Sequence, residues 1–356
     1  MVRIFIFALL LLFSTAAQAG SFTVSDEKLC QIRLDGEIEI GDNKKFLPAI
    51  GKARALLEAK TNTPFEIPRF VGETPTPTMC LNSPGGSFGE ALAIIDTILE
   101  TGGIATVVDA NKECLSACAL IFMFGHVQAY HSDKYFDRRL HVTGKLGFHA
   151  PFQRTEQSTN NQRLIDKIYL SGVQAIGKLI EIDRNEFLAR GLIIEFLKRG
   201  PDDFLFVDNV DRAGEWSIEI IGHAPLKQIT NKNISQACDN IENWAEKRKT
   251  REFYINKYVG KEQAKLKVMT ETKSKVTSVL KGYGNEGGEF CVLKAQRMKS
   301  GDFLLDVSIV EAIPSKTEIN EFNIGEGRLL VEPGFGSIKP SWITMPPETK
   351  ISALSP

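Results

Sequence analysis

Two residues of the sequence have the side chains that nucleophilic catalysis requires. Ser116 comes after the β-branched run Ile104 to Val108 and directly before the apolar segment Ala117 to Phe124. His149 ends the strand-like segment Leu146-Gly147-Phe148. A serine hydroxyl becomes a nucleophile when a base within hydrogen-bond reach removes its proton, and histidine is the most frequent such base. The pair predicts a serine hydrolase, although an N-cap serine and a structural histidine remain the alternative interpretation.

A glycine turn provides a second feature of interest. Met79 to Leu81 reads as a short strand that runs into Asn82-Ser83-Pro84-Gly85-Gly86-Ser87, where a helix begins. Backbone N–H groups exposed by such glycines can stabilise a developing oxyanion, or the glycines can simply allow close packing of the helix. The segment lacks the Lys-Ser/Thr of a P-loop and the full Gly-x-Gly-x-x-Gly spacing, which argues against a nucleotide site.

The elements that would position these residues alternate between helix and strand. Apolar residues recur at helical spacing from Phe46 to Lys60 and from Phe88 to Leu99, whereas Ile104 to Val108 is typical of a buried parallel strand. This alternation predicts an α/β fold with a parallel sheet and crossover helices. Since the carboxyl ends of parallel strands share one edge, we expect Ser116 and His149 to meet there.

The remainder of the chain reads as helices followed by a smaller α+β region. Two helices are predicted over 161–182 and 184–198, and short strands over 204–207 and 216–221. A charged helical stretch is predicted from Ile234 to Lys281, strands from Phe290 to Val331, and a loose end after Pro340. The predicted organisation is a signal peptide over 1–19, an α/β domain over 20–228, a C-terminal α+β domain over 229–340 and a tail over 341–356.

Composition and the amino-terminal segment indicate a globular, exported protein. Hydrophobic residues make up 43% and charged residues 24% of the 356 residues, and the formal net charge is -1, so no global field would recruit nucleic acid. Arg3, the apolar run Ile4 to Phe13 and the ending Ala17-Gln18-Ala19 have the pattern of a cleaved secretory signal. The sequence predicts a periplasmic or secreted protein with no membrane association after cleavage.

The sequence has six cysteines, an even number that could form three disulfides in a compartment that permits them. They are Cys30, Cys80, Cys114, Cys118, Cys238 and Cys291. Cys238 and Cys291 lie in the last third and are expected to bridge each other, and Cys114 and Cys118 are close enough to join across one turn. The sequence alone does not determine the pairing. No Cys-x-x-Cys pair and no zinc-type histidine spacing occurs, so neither a metal nor a cofactor is predicted.

Several of these segments together resemble a known family. Leu81-Asn82-Ser83-Pro84-Gly85-Gly86, the helix after it, Ser116 before an apolar helix, and Phe148-His149-Ala150-Pro151 resemble, in order and spacing, the Clp protease proteolytic subunit of the ClpP/crotonase superfamily. The resemblance extends roughly from Cys30 to Ile221. With its signal segment and Cys114-x-Ser116-Ala117-Cys118, the chain is similar to an exported bacterial branch of that superfamily.

The resemblance implies a role for each matching residue. Ser116 would be the nucleophile and His149 the general base, and the backbone N–H groups of Gly86 and Ala117 would form the oxyanion hole. A protease-like site implies a peptide or protein substrate. The family's rings associate through a long helix, which implies a homo-oligomer formed through residues 161–182. No ATPase partner is expected, because ATP is not available in the periplasm.

The third catalytic residue departs from the family pattern. An ungapped match places Lys198 where the family has an acid, so Asp202 is assigned this role and Asp203 is its alternative. Without an acid, a Ser-His dyad would be slow but active. The polar stretch from Tyr130 to Lys145 adds length between Ser116 and His149 and is interpreted as a lid.

Other readings of the sequence remain open. A Ser-Lys pair is a weaker arrangement, because no lysine is better placed than His149. An acyl-coenzyme A enzyme is disfavoured outside the cytoplasm. The main alternative to a peptidase is a catalytically inactive protein that keeps the fold and binds a partner through the region beyond about Asn233.

Overall fold

The computed structural model of the chain describes residues 19–27, 29–60, 76–128, 134–152, 162–184, 187–249, 266–271, 275–283, 289–310 and 338–356. Residues 1–18 of the predicted signal segment lie outside this described part. In the described part, no helix is both long enough and apolar enough to cross a membrane.

Helices and strands alternate up to Ile221. In chain order they are β1 (Ser21–Val24), β2 (Ile32–Asp35), α1 (Asp42–Lys60), β3 (Thr78–Asn82), α2 (Phe88–Glu100), β4 (Ala105–Val108), β5 (Glu113–Leu115), α3 (Ala117–Met123), β6 (His126–Gln128), β7 (Lys134–Phe136), β8 (Arg138–His141), β9 (Lys145–Phe148), α4 (Gln162–Ile182), α5 (Arg190–Leu197), β10 (Leu205–Phe206), α6 (Val210–Glu215) and β11 (Glu219–Ile221). The C-terminal region contains α7 (Asn231–Lys249), β12 (Leu266–Glu271), β13 (Lys275–Tyr283), β14 (Glu289–Arg297), β15 (Phe303–Val310) and β16 (Ile338–Pro340).

The main sheet has six strands in the order β1-β2-β3-β4-β8-β11. β1 pairs antiparallel with β2 at one edge, and all the other neighbours are parallel. Every residue of β4 is buried, as its run of small and β-branched residues predicts. The predicted α/β class with a parallel sheet is confirmed, with an added antiparallel edge strand.

A smaller sheet carries the residues of interest. Its order is β10-β9-β5, with β5 and β9 parallel and β10 antiparallel to β9. A parallel bridge between Ser83 and Cys114 joins β5 to the end of β3. The glycine turn after β3 is therefore held beside the strand that leads to Ser116.

Three predicted segments differ from the structure. Residues 134–145 do not form the expected lid, because β8 lies inside the main sheet and Arg138 is buried. Residues 130–133 of the predicted lid lie outside the described part. The helix predicted over 184–198 begins only at Arg190, since the Asp183 carboxylate instead accepts a hydrogen bond from the backbone N–H of Phe187. The charged helix predicted to reach Lys281 ends at Lys249, and β12 and β13 follow.

The C-terminal region packs on the α/β part through one continuous core. The Trp244 ring of α7 lies 5.8 Å from the Trp342 ring and fills the space beside Gly214. The end expected to be loose is packed instead, because Trp342, Ile343 and other apolar residues there are buried. The backbone N–H of Ala224 donates to Leu354, so residues beyond 340 close the edge of the core.

Three disulfides connect the six cysteines. Cys114–Cys118 and Cys238–Cys291 form as the sequence predicts, and a third bond joins Cys30, just before β2, to Cys80 in β3. All six are at most 4% exposed. Three disulfides fit an extracellular or periplasmic protein.

Candidate active site

Ser116 occupies a sharp turn between β5 and α3. Its φ of 56° and ψ of -122° lie in a region that non-glycine residues rarely adopt and that costs about 1–3 kcal/mol. Ser116 also makes no side-chain capping bond to α3. Ser87 shows the contrast, because it has φ -61° and accepts a hydrogen bond from Glu90 N as an ordinary N-cap. Ser116 is therefore not an ordinary N-cap serine.

The glycine turn packs directly against Ser116. Gly85 has φ +108°, and a Cβ at this position would lie 2.7 Å from Ser116 Cβ and 2.8 Å from the Leu115 carbonyl oxygen. A hydrogen bond of 3.1 Å from Gly85 N to Ser83 Oγ holds the turn in place. Only glycine can bring the chain this close to the serine.

Two backbone N–H groups, one in the glycine turn and one at the start of α3, have no backbone acceptor in the described part of the chain. Gly86 forms a parallel bridge with Ile38 in which Ile38 N donates to Gly85 O and Ser87 N donates to Ile38 O, each at 2.7 Å. This alternation directs Gly86 N away from Ile38. Among the described residues, neither Gly86 N nor Ala117 N has a hydrogen-bond partner. These are the two groups that the family resemblance assigns to an oxyanion hole.

His149 lies at the end of the strand next to Ser116. Leu115 pairs with Gly147 in the β5–β9 ladder, and Ser116 N donates to Gly147 O at 2.9 Å. Ser116 and His149 thus leave the carboxyl ends of adjacent parallel strands. The sequence-based expectation that they share one sheet edge agrees with this register.

The hydrogen bond of His149 determines its tautomer. Nδ1 lies 2.7 Å from the carbonyl oxygen of Ala150, and a carbonyl can only accept, so Nδ1 carries the proton. In the neutral ring this leaves Nε2 with a lone pair, which is the form that a general base needs. His149 is 8% exposed, and the centroid of its ring lies 5.0 Å from that of Phe152 and 4.8 Å from that of Phe204, the latter in a T-shaped arrangement.

The orienting role of the Ala150 carbonyl was missed in the sequence. A signal for it exists, because Pro151 restricts Ala150 to an extended backbone. The same tripeptide recurs as His223-Ala224-Pro225, where His223 Nδ1 lies 3.1 Å from the Ala224 carbonyl oxygen. His-Ala-Pro is thus a local structure in which the histidine bonds to the next carbonyl.

The residues considered for the third catalytic position lie in the exposed turn after α5. Asp202 and Asp203 are both exposed, and Asp203 forms an ion pair with Arg199 at 3.1 Å. Lys198 is also exposed and pairs with Glu195. Phe204 is the residue of this segment that contacts the imidazole. The assignment of Asp202 stays a prediction.

Comparisons of the chain with models of protein families and with curated proteins give no match.

Proposed function

We propose that the protein is an exported serine hydrolase of the Clp-protease type, with peptide bonds as its substrate. The observation that carries this proposal is the backbone conformation of Ser116, which is unfavourable for a residue other than glycine. The serine makes no capping bond that would compensate for it, and two N–H groups without a partner among the described residues lie near it. Strained serines at strand-to-helix turns are typical of nucleophiles.

The reaction would follow from the positions of the site groups. His149 Nε2 takes the proton of Ser116 Oγ as Oγ bonds to the carbonyl carbon of the scissile amide. The negative oxygen that develops would accept hydrogen bonds from Gly86 N and Ala117 N, a contribution of about 10²–10³ in rate for each donor. The imidazolium then protonates the leaving amine, and the same nitrogen activates the water that hydrolyses the acyl-serine.

The carbonyl of Ala150 would perform part of the role of a third residue. It fixes the ring orientation and the tautomer of His149. A neutral carbonyl stabilises the imidazolium less than a carboxylate does, so we expect a slow enzyme unless Asp202 contributes. Asp202→Asn tests this point: a fall of about 10⁴-fold in turnover would make Asp202 the third member, and a fall below about threefold would leave the carbonyl as the orienting group.

Self-association through α4 is part of the proposal. Six large apolar side chains on α4 are more than a third exposed: Leu164, Ile165, Tyr169, Leu170, Val173 and Ile180. The family that the chain resembles associates into rings through the corresponding long helix. A second copy of this chain is therefore the proposed occupant of this face.

The test is intact mass spectrometry after reaction with a fluorophosphonate, which attaches to an activated serine and releases fluoride. We expect one adduct on the wild-type protein and none on Ser116→Ala or His149→Ala. Ser87→Ala and His223→Ala are matched controls and should label normally. An unlabelled wild-type protein with a cooperative thermal transition would refute the hydrolase and favour the inactive binding protein.

A further inference from the structure

The Cys114–Cys118 disulfide encloses Ser116. Cys114 lies in β5 and Cys118 in the first turn of α3, with their Cα atoms 5.2 Å apart and both side chains fully buried. Leu115, Ser116 and Ala117 are the only residues between them. The crosslink therefore ties together the two elements whose junction is the strained turn.

Global stability does not explain a crosslink at this place. In the chain-entropy model a disulfide stabilises a protein more as the loop that it closes grows. The other two disulfides join residues separated by 50 and 53 positions, whereas this one joins residues separated by 4. Its principal effect is thus expected on the local conformation.

The local alternative is visible elsewhere in the molecule. Ser87 begins α2 with an ordinary backbone conformation and a capping bond to Glu90 N. Ser116 could adopt the same conformation at the start of α3, with its Oγ accepting from Ala119 N, which now donates to the Ser116 carbonyl oxygen at 3.0 Å. This change would remove both the strain and the nucleophile. Such a change requires the end of β5 and the start of α3 to move relative to each other, and the disulfide restricts this movement.

We propose that the Cys114–Cys118 disulfide is a positioning element that holds Ser116 in its reactive conformation, so that the nucleophile is assembled only after the disulfide has formed. This inference rests on the proposed hydrolase function. In forming the bond, the two thiols lose two protons and two electrons to a disulfide oxidant such as oxidised glutathione, which becomes two thiols. The reduced chain would then be inactive before export and active in an oxidising compartment.

The experiment compares two variants of the full chain, each of which lacks one of the three disulfides. Cys114→Ala/Cys118→Ala removes the local crosslink, and Cys238→Ala/Cys291→Ala removes one of similar burial that closes a long loop. For each variant we would measure the thermal unfolding midpoint. We would also measure the rate of the fluorophosphonate reaction as a function of probe concentration, which gives the rate at saturation and the concentration for half-saturation. We expect the first variant to lose about tenfold or more in the saturated rate with unchanged half-saturation. The control should lose more thermal stability and keep its rate.

The outcomes separate this inference from the proposed function. An unlabelled wild-type protein would refute the hydrolase itself, whereas a labelled wild-type protein and an equally reactive Cys114→Ala/Cys118→Ala variant would overturn only the positioning role. If that variant does not fold, the wild-type protein is reduced in steps and alkylated, and peptide mapping then shows which cysteines have reacted at each step. The labelling of Ser116 is compared with the alkylation of Cys114 and Cys118. Labelling should then fall in step with alkylation of Cys114 and Cys118, and labelling that persists after their alkylation overturns the inference.

Discussion

Substituting Gly85 by alanine should slow the reaction of Ser116 without unfolding the protein. The added Cβ would lie 2.7 Å from Ser116 Cβ, whereas ordinary contacts begin at 3.4 Å, so the two must separate by about 0.7 Å. A misplacement of about 1 Å can cost about 10²-fold in rate, so we expect the fluorophosphonate reaction to slow roughly 30-fold.

The matched control is Gly301→Ala, in the turn between β14 and β15. Gly301 has φ +90°, close to the +108° of Gly85, but no atom lies within 4 Å of its added Cβ. Both variants carry a backbone strain of about 1–3 kcal/mol, and only Gly85→Ala adds the collision with the serine. Comparing the two therefore separates strain from displacement.

The assay is the second-order rate of adduct formation on Ser116, measured beside the thermal unfolding midpoint of each variant. Gly301→Ala should label at the wild-type rate despite a lower midpoint. If Gly85→Ala labels within threefold of Gly301→Ala, the contact between the glycine turn and Ser116 has no bearing on reactivity and the reasoning fails.

Two further predictions concern assembly and pH dependence. The proposed self-association predicts that Val173→Glu lowers the mass measured by light scattering to that of one chain while Ser116 still labels, because the substitution places a charge on the exposed apolar face of α4. A mass equal to that of the wild-type protein would exclude this face as the interface. Burial raises the pKa of the Asp306 carboxyl above its ordinary value of 3.8, against the attraction of Lys294. A raised pKa in the folded state means that stability falls as the pH rises through and above the ordinary value, so Asp306→Asn should raise the urea midpoint at pH 7 and lose this gain near pH 3. Equal midpoint changes at both pH values would contradict the assignment.

The parts of the fold with strong periodicity were predictable from the sequence. The helix expected over Phe88 to Leu99 spans Phe88–Glu100, and the buried run ending at Val108 is β4. The helix predicted to reach Lys281 was wrong over β12 and most of β13, where charged residues obscure the signal of the strands.

Only part of the candidate site could be predicted from the sequence, and the reason is physical. Ser116, His149 and the glycine turn could be named from residue type and spacing, and the β5–β9 register brings the strands that carry them together. The positive φ of Ser116 depends on a backbone conformation that residue types do not specify. The bond from His149 to the Ala150 carbonyl had only the His-Ala-Pro segment as its signal. Strands of three residues, such as β5, also carry no periodic signal.

The packing of residues 342–354 on the α/β part has a consequence for the order of folding. Ile351 N donates to Asp208 O, and Val210 N donates to Thr349 O, so the region around β10 and α6 is completed only by these late residues. A chain emerging from the ribosome cannot complete these contacts while residues 342–354 are still inside it. This part of the core should therefore close only after residues 342–354 have left the ribosome, and a chain that lacks them should expose the surface around β10 and α6.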